Sequence, residues 1–370
     1  MKYYIIAGEA SGDLHAANLI KALKQKDPEA RIRAWGGDLM QAAGADIVKH
    51  YRELAFMGLV EVLRHLGTIL KNISFCKADI QAFQPDVILF VDYPGFNMRI
   101  AKWAHQQGFR TAYYISPTVW AWKENRVHHI HKYVDEMMVI LPFEKPFYAK
   151  YGYPVHYVGH PLIEVMEAEL QKPSGLAKEK KVLALLPGSR TQEIKKLLPL
   201  MLEVAATLLT DYEVLIAQAP AQNEALYEAI INGNSAVSLV KGKTYDILKI
   251  ADAAIVASGT ATLETALLGV PQVVVYKTSL LTFKIVKAMA KTEYVALPNI
   301  ILGKLSVVEL LQNDFTQPGL QQAIADITVN SDNIDRMQTD YSKVWQMLAH
   351  DGKASENAAG IVYALATRKK

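Results

Sequence analysis

The chain has 370 residues, enough for two domains with separate cores, and none of its apolar runs approaches the ~20 residues of a membrane-spanning helix. The net charge of +3 is evenly spread: residues 1–170 carry 19 Lys and Arg against 18 Asp and Glu, and the remainder 21 against 19. That balance excludes the basic stripe of a nucleic-acid binder. A single cysteine, Cys76, rules out an internal disulfide framework, and the N-terminus lacks the cleavage pattern of a signal peptide, so a cytoplasmic protein is expected. Nine of the ten histidines precede residue 170, which argues against histidine chemistry or a histidine metal site in the second half.

In chain order, strands are expected at 3–7, 32–35, 87–91, 111–115, 136–140 and 156–158. Helical patterns lie between them at 14–25, 56–83 with a break near Asn72, 97–107 and 123–132. The polar stretch Gln171–Lys181 reads as a linker or the surface entry to a second unit. Alternation resumes with strands at 182–186, 213–217, 236–239, 253–257 and 272–276 and helices at 193–210, 222–232, 244–250 and 261–268; the last ~50 residues are helical. Short buried strands with crossover helices imply parallel sheets. The expected fold is α/β, with two doubly wound, Rossmann-like domains facing across a cleft. Their bounds are 1–168 and 169–340, with a helical segment 341–370 that packs back on the first domain or on a partner subunit.

Ligands of such sheets bind at the carboxyl ends of strands, and four strand ends carry unusual residues. The first, Ala7-Gly8-Glu9-Ala10-Ser11-Gly12-Asp13, combines glycines that permit close approach with a carboxylate, Glu9, that has no capping duty. Ser11 or Asp13 can cap the following helix. A tight turn with an incidental carboxylate is the plain alternative. At the second, Leu185–Ile194, Gly188, Ser189 and Arg190 precede a helix that Ser189 or Thr191 can cap; its dipole and the forked guanidinium suit a diphosphate, and a surface arginine beside a capped helix is the alternative. The third, Ile255–Val274, places Ser258, Gly259 and Thr260 before a helix bearing Glu264, where a carboxylate can accept from ribose hydroxyls or merely face the helix dipole. At the fourth, Ile88–Asn97, Asp92 ends an apolar strand and Asn97 can cap the next helix. Partial burial would tune Asp92 as a general base, and a turn-forming Asp before Pro-Gly is the alternative.

His128, His129 and His131 have no evident carboxylate partner, and there is no Asp-x-Asp pair to hold a cation, so no metal and no cofactor are expected. Trp120 and Trp122 can stack on a sugar or fill a core, with Lys123 and Arg126 available to a phosphate. A broad apolar stripe along Phe56–Ile73 includes Val60, Leu63, Leu66 and Leu70 with basic residues at its margins. It fits either a core-facing helix or an interfacial one.

The motifs AGEASGD, AFMGLVEVL, SPTVWAWKENRV, LPFEKPFYAKY, LPGSR, ASGTATLE and KTEYVALPNI together closely resemble the lipid-A-disaccharide synthase family of inverting glycosyltransferases. The resemblance covers nearly the whole chain and weakens in the last ~50 residues. It implies a B-type glycosyltransferase fold, a UDP-2,3-diacylglucosamine donor and a 2,3-diacylglucosamine 1-phosphate acceptor. The implied product is a β-1,6-linked disaccharide phosphate, made at the cytoplasmic face of the inner membrane by a peripheral protein. The family pattern carries over to Glu9, Asp92, Arg190, Glu264 and Asn299. Where many members have Asp-Ala-Pro-Asp-Phe-Asn, this chain has Asp92-Tyr93-Pro94-Gly95-Phe96-Asn97, so the base assignment rests on Asp92.

On that reading Asp92 and Glu9 are catalytic. Arg190, Ser189, Gly188, Ser258, Gly259, Thr260, Glu264 and Asn299 bind the donor, and Ser11, Asn97, Trp122, Val60, Leu63, Leu66 and Leu70 face the acceptor or membrane. The alternatives are a relative acting on soluble UDP-sugars, as an epimerase or a transferase with an unacylated acceptor, and a non-catalytic nucleotide-sugar or lipid binding protein. The oligomeric state is open, with a homodimer as one arrangement.

Overall fold

The computed structural model describes residues 1–53, 66–122, 124–279, 283 and 292–368. The chain divides into two compact units, the first formed by Met1–Pro161 together with the segment from Leu348 onward, the second by Leu162–Met347.

In unit 1 seven parallel strands run in the order β3-β2-β1-β4-β5-β6-β7: β1 Lys2–Ala7, β2 Arg31–Gly36, β3 Asp46–His50, β4 Val87–Val91, β5 Thr111–Tyr114, β6 Glu136–Val139 and β7 His156–Tyr157. Both faces are covered, which the alternation of β1 makes visible. Tyr3, Ile5 and Ala7 enter the core under helices Ala10–Lys26 and Ala354–Thr367, while Tyr4 and Ile6 enter the opposite core under helices Leu66–Phe83 and Pro94–Gln106. On the latter face Trp35 Nε1 donates to Tyr4 Oη at 2.9 Å, and Tyr4 Oη donates to Asp79 at 2.7 Å. Arg33 also grips Asp79, so helix Leu66–Phe83 is keyed to the sheet. Asn72 lies inside that continuous helix, so the expected break there is corrected: its apolar positions Ile69, Ile73, Cys76 and Ile80 keep helical spacing across it.

Unit 2 carries six parallel strands in the order β10-β9-β8-β11-β12-β13: β8 Lys181–Leu186, β9 Tyr212–Gln218, β10 Val237–Lys241, β11 Ala253–Ala257, β12 Gln272–Tyr276 and β13 Val308–Leu311. Leu183 and Leu185 pack under helices Thr191–Ala205 and Gln317–Thr328, and Val182, Ala184 and Leu186 face helix Thr244–Ile250.

The division falls at Pro161/Leu162 rather than after residue 168, because helix Pro161–Leu170 is continuous. The polar stretch read as a linker is a loop fastened within unit 2: Ser174 Oγ donates to the Asp246 carbonyl at 3.0 Å, and Gly175 N–H to its carboxylate at 3.1 Å. The terminal segment expected at 341–370 is split, with helix Ser331–Leu348 in unit 2 up to Met347 and helix Ala354–Thr367 in unit 1.

Each sheet has one point where chain order reverses, between β1 and β4 in unit 1 and between β8 and β11 in unit 2. The registers bring Ala7 beside Val91 and Leu186 beside Val256, so the loops that leave these strands emerge side by side. Glu9 and Asp92 follow the first pair, and Arg190 and Thr260 the second.

Candidate active site

Asp92 and Tyr93 are both left-handed, with φ of 46° and 50°, an uncommon state for residues with a Cβ. Asn97 Nδ2 donates to the Asp92 carbonyl at 2.7 Å and Tyr113 Oη donates to it at 2.5 Å, fixing the backbone from behind. Gly8 receives the Tyr93 ring: a Cβ there would stand 2.4 Å from ring carbons. A tight turn alone therefore does not account for the opening glycine; the β1 loop is shaped to admit a side chain from the β4 loop. The Asp92 carboxyl is pushed up to about 6, first by burial and then by the negative charge of Glu9. Glu9 is half-buried and is the N-cap residue of helix Ala10–Lys26 by backbone only.

Two sequence expectations in unit 1 are corrected. Neither Ser11 nor Asp13 caps its own helix. Ser11 is exposed, and Asp13 is buried, accepting from the N–H groups of Gly37 at 2.8 Å and of Leu39 and Met40 at 3.1 Å, where it caps the short helix Asp38–Ala42. Asn97 is fully buried under the Asp92 loop and neither caps a helix nor faces an acceptor, because its amide is committed to backbone carbonyls. Of the two tryptophans, Trp120 is buried, its Nε1 donating to Glu144 at 3.2 Å, whereas Trp122 is exposed with the Arg126 guanidinium 5.4 Å over its ring. Glu144 is itself buried and pushed up to about 7 by that burial, and it accepts from the Ile140 and Leu141 N–H groups. His128 and His131 pack against Tyr151 and Tyr153, and among the described residues no group of three His, Cys, Asp or Glu is placed to hold an ion. Val60, Leu63 and Lys123 lie outside the described residues; Leu66 opens its helix, and Leu70 is 57% exposed.

In unit 2, Gly188 has φ 103°, and a Cβ on it would meet the Glu193 carboxylate at 2.7 Å. Helix Thr191–Ala205 is capped by neither Ser189 nor Thr191. The cap is Arg190, whose N–H donates to Glu193 at 3.3 Å while its exposed guanidinium pairs with the same carboxylate at 2.6 Å. Gln222, which the sequence did not single out, braces the loop: its Nε2 donates to the Ser189 carbonyl at 2.8 Å and its Oε1 accepts from Thr191 Oγ1 at 2.9 Å. Its only sequence signal was a place near a helix start.

At the end of β11, Gly259 has φ 150° and ψ −162°, a region essentially reserved for glycine, and with exposed Thr260 it opens helix Thr260–Leu267. Its N-cap, Gly259, offers no side-chain cap, and the Thr262 N–H donates to the Gly259 carbonyl at 3.1 Å. Ser258 Oγ donates to the Val295 carbonyl at 3.2 Å. Glu264, half-buried, is pushed up by burial and accepts from Tyr245 Oη at 2.8 Å. Asn299 is fully buried and its amide is saturated: Nδ2 donates to Val307 O and Glu309, and Oδ1 accepts from the Ser306 and Val307 N–H groups at 2.8–2.9 Å. Instead of touching a ligand it braces segment 295–299, whose Val295 and Ala296 N–H groups also bind Glu309.

The two units thus expose different equipment at equivalent places: a pair of carboxylates in one, an arginine and two helix starts in the other. The fold is that of B-type glycosyltransferases and related epimerases. Solved structures similar over the whole chain include the glycotransferase of kitacinnamycin (TM-score 0.65, 13% identity, 98% of each chain) and the UDP-GlcNAc 2-epimerase of Neisseria meningitidis bound to UDP-GlcNAc (TM-score 0.62, 12% identity, 99% of each). The family described as lipid-A-disaccharide synthetase matches residues 3–362. Lipid-A-disaccharide synthases similar to this chain include those of Syntrophus aciditrophicus, 40% identical, and Geobacter metallireducens, 38% identical, each over 99% of this chain and 97% of the relative. That of Nitrosococcus oceani is 41% identical over 84% and 82%. The chain belongs to the lipid-A-disaccharide synthase family, and its activity is that of a UDP-sugar-dependent glycosyltransferase forming the lipid A disaccharide. The reading as an enzyme of soluble UDP-sugars is not favoured, since the epimerases share the fold at 12% identity while the synthases share the sequence.

Proposed function

We propose that the donor is UDP-2,3-diacylglucosamine and the acceptor 2,3-diacylglucosamine 1-phosphate, giving a β-1,6-linked disaccharide 1-phosphate and UDP. Family membership supports the substrates, and the observation that carries the chemical step is Asp92, a carboxylate beside Glu9 at a switch point, its pKa drawn to about 6 by burial and that neighbouring charge. Asp92 takes the proton of the acceptor 6-hydroxyl as that oxygen bonds to the anomeric carbon. The bond from that carbon to the diphosphate breaks, and the electron pair leaves on UDP with inversion. Glu9 positions the acceptor, with Ser11 and Trp122 beside it.

Arg190, together with the backbone at Gly188–Ser189 and Ser258–Thr260, receives the charge that grows on the leaving diphosphate. Its side chain is 59% exposed, so exchanging Glu193 for phosphate oxygens needs only side-chain rotation. Glu264 accepts from the ribose. Asn97 and Asn299 act from behind, holding the Asp92 loop and segment 295–299.

Both substrates carry acyl chains, and docking at the cytoplasmic face of the inner membrane is part of the proposal. Supporting it, Leu70 and Phe75 are 57% and 48% exposed on helix Leu66–Phe83, with exposed Lys71 beside them. Among the described residues no helix is long and apolar enough to cross a membrane. The deciding experiment is mass spectrometry of purified protein incubated with both acylated substrates and no added metal. Disaccharide 1-phosphate with matching UDP release is expected; UDP binding without product would remove the substrate assignment.

A further inference from the structure

Among the described residues Glu264 is a carboxylate without a cation. Among the described residues its one hydrogen-bond donor is Tyr245, whose Oη lies 2.8 Å from Oε1, and no Lys or Arg pairs with it. Lys249, one turn further along the Tyr245 helix, is committed to Glu169 at 3.1 Å. Tyr245 stands at the second position of helix Thr244–Ile250 after β10, and Glu264 at the fifth of helix Thr260–Leu267 after β11; both side chains are half-buried. A half-buried, unneutralised carboxylate is costly to the fold, and a scaffold contact would be better made by an amide or a hydroxyl. An ionised carboxylate only accepts hydrogen bonds. With Oε1 held by a phenol, Oε2 is the oxygen left to seek a donor, and the ligand group that fits is a sugar hydroxyl rather than another anion.

The glutamate alone has three rotatable bonds, and ordering them on binding is an entropic cost. A tyrosine hydroxyl on one oxygen removes that freedom beforehand, since the half-buried ring turns about only two bonds.

We propose that Tyr245 is a positioning residue: it holds Oε1 of Glu264 so that Oε2 meets the ribose 2′,3′-diol, and the pair thereby selects ribo- over 2′-deoxyribonucleoside diphosphates. This rests on reading the Ser258–Glu264 segment as part of the donor site. Sites built to bind a hydroxyl reject analogues that lack it, because the polar group is left unpaired.

The test is titration calorimetry of the full chain with UDP and with 2′-deoxy-UDP, for wild type and Tyr245→Phe. Wild type should prefer UDP by at least about tenfold, the worth of one hydrogen bond to a charged group. Tyr245→Phe should shrink that ratio to about threefold or less by weakening UDP while leaving the deoxy ligand within about twofold. An unchanged ratio, or an equal loss for both ligands as from a merely structural residue, overturns the proposal. If wild type binds both ligands alike, the ribose assignment of Glu264 falls and this inference with it. Persistence of UDP binding that depends on Arg190 would then show that the diphosphate part of the reading survives. Tyr245→Leu, read on the same ratio, serves if the phenylalanine variant does not fold.

Discussion

The loops after β1 and β4 and those after β8 and β11 leave their sheets at equivalent switch points, yet they are built differently. In unit 1 the chain accepts unusual backbone at Asp92 and Tyr93 to set one carboxylate near another, and the supporting groups, Asn97 and Tyr113, bind the loop's carbonyl rather than its side chain. In unit 2 the glycines 188 and 259 absorb the positive φ, and the support comes from Gln222 and the Val295 carbonyl. Topology dictates where a ligand can sit; which residues carry the strain decides what faces it. Asp92 sits on constrained left-handed backbone, whereas the helix starts of unit 2 follow turns opened by glycine.

The sharpest way to break this contrast is Asp92→Asn. Turnover should fall by roughly 10²–10⁴-fold, with UDP affinity unchanged by calorimetry. The variant should also melt higher near pH 8, because it removes an ionised carboxylate from a buried place. Retained turnover would transfer the role of base to Glu9. Arg190→Ala comes next: UDP binding should weaken by about 1.5–3 kcal/mol, measured by the same titration, with little change in the pH profile. Gly8→Val tests the opening loop. Displacing the Tyr93 ring should lower kcat, and the loss should be partly restored in a Gly8→Val, Tyr93→Ala double variant.

The pH dependence sharpens the comparison further. With Asp92 at about 6, above its ordinary 3.8, kcat/KM should fall as pH drops through 6 because the base takes up its proton. Stability moves the other way. Between 6 and about 4 the folded chain binds a proton at Asp92 that the unfolded chain does not, so the melting-temperature deficit of wild type relative to Asp92→Asn should close over that window. Glu9→Gln should move the acid limb of kcat/KM to lower pH, since the second cause of the shift is removed. The smallest effect is expected for Leu70→Ser. An exposed position should change stability by less than about 0.5 kcal/mol, while co-sedimentation with anionic vesicles declines.

Much of the scaffold was legible because the central strands are short apolar runs between helical periods; β1, β4, β8 and β11 read directly from Tyr3–Ala7, Val87–Val91, Val182–Leu186 and Ala253–Ala257. The edge strands β3 and β13 were missed, since Asp46-Ile47-Val48-Lys49-His50 and Val308-Glu309-Leu310-Leu311 mix charge into runs too brief to show a period. As candidates, Glu9, Asp92 and Arg190 stood out as polar residues just past strand ends, and Glu264 as a carboxylate one turn into the helix after β11. Tyr245 and Gln222 could not, because their partners lie 19 and 33 residues away and only the folded chain brings them together. A buried amide such as Asn97 or Asn299 has no mark in sequence that tells it from an exposed one.

Helix Ala354–Thr367 gives Ala358, Ala359, Val362 and Leu365 to the same core as β1, while all of Leu162–Met347 lies between them in sequence. At typical synthesis rates of 5–20 residues per second, the ribosome needs roughly 10–40 s to make that interval. Throughout it the nascent first sheet has one face without its last helix, and unit 2 can finish folding first. The order of completion on the ribosome is thus reversed relative to the order of the chain, and a product truncated before residue 354 would leave Leu89, Val91 and Met138, on β4 and β6, without their cover, a mark for chaperones and proteases.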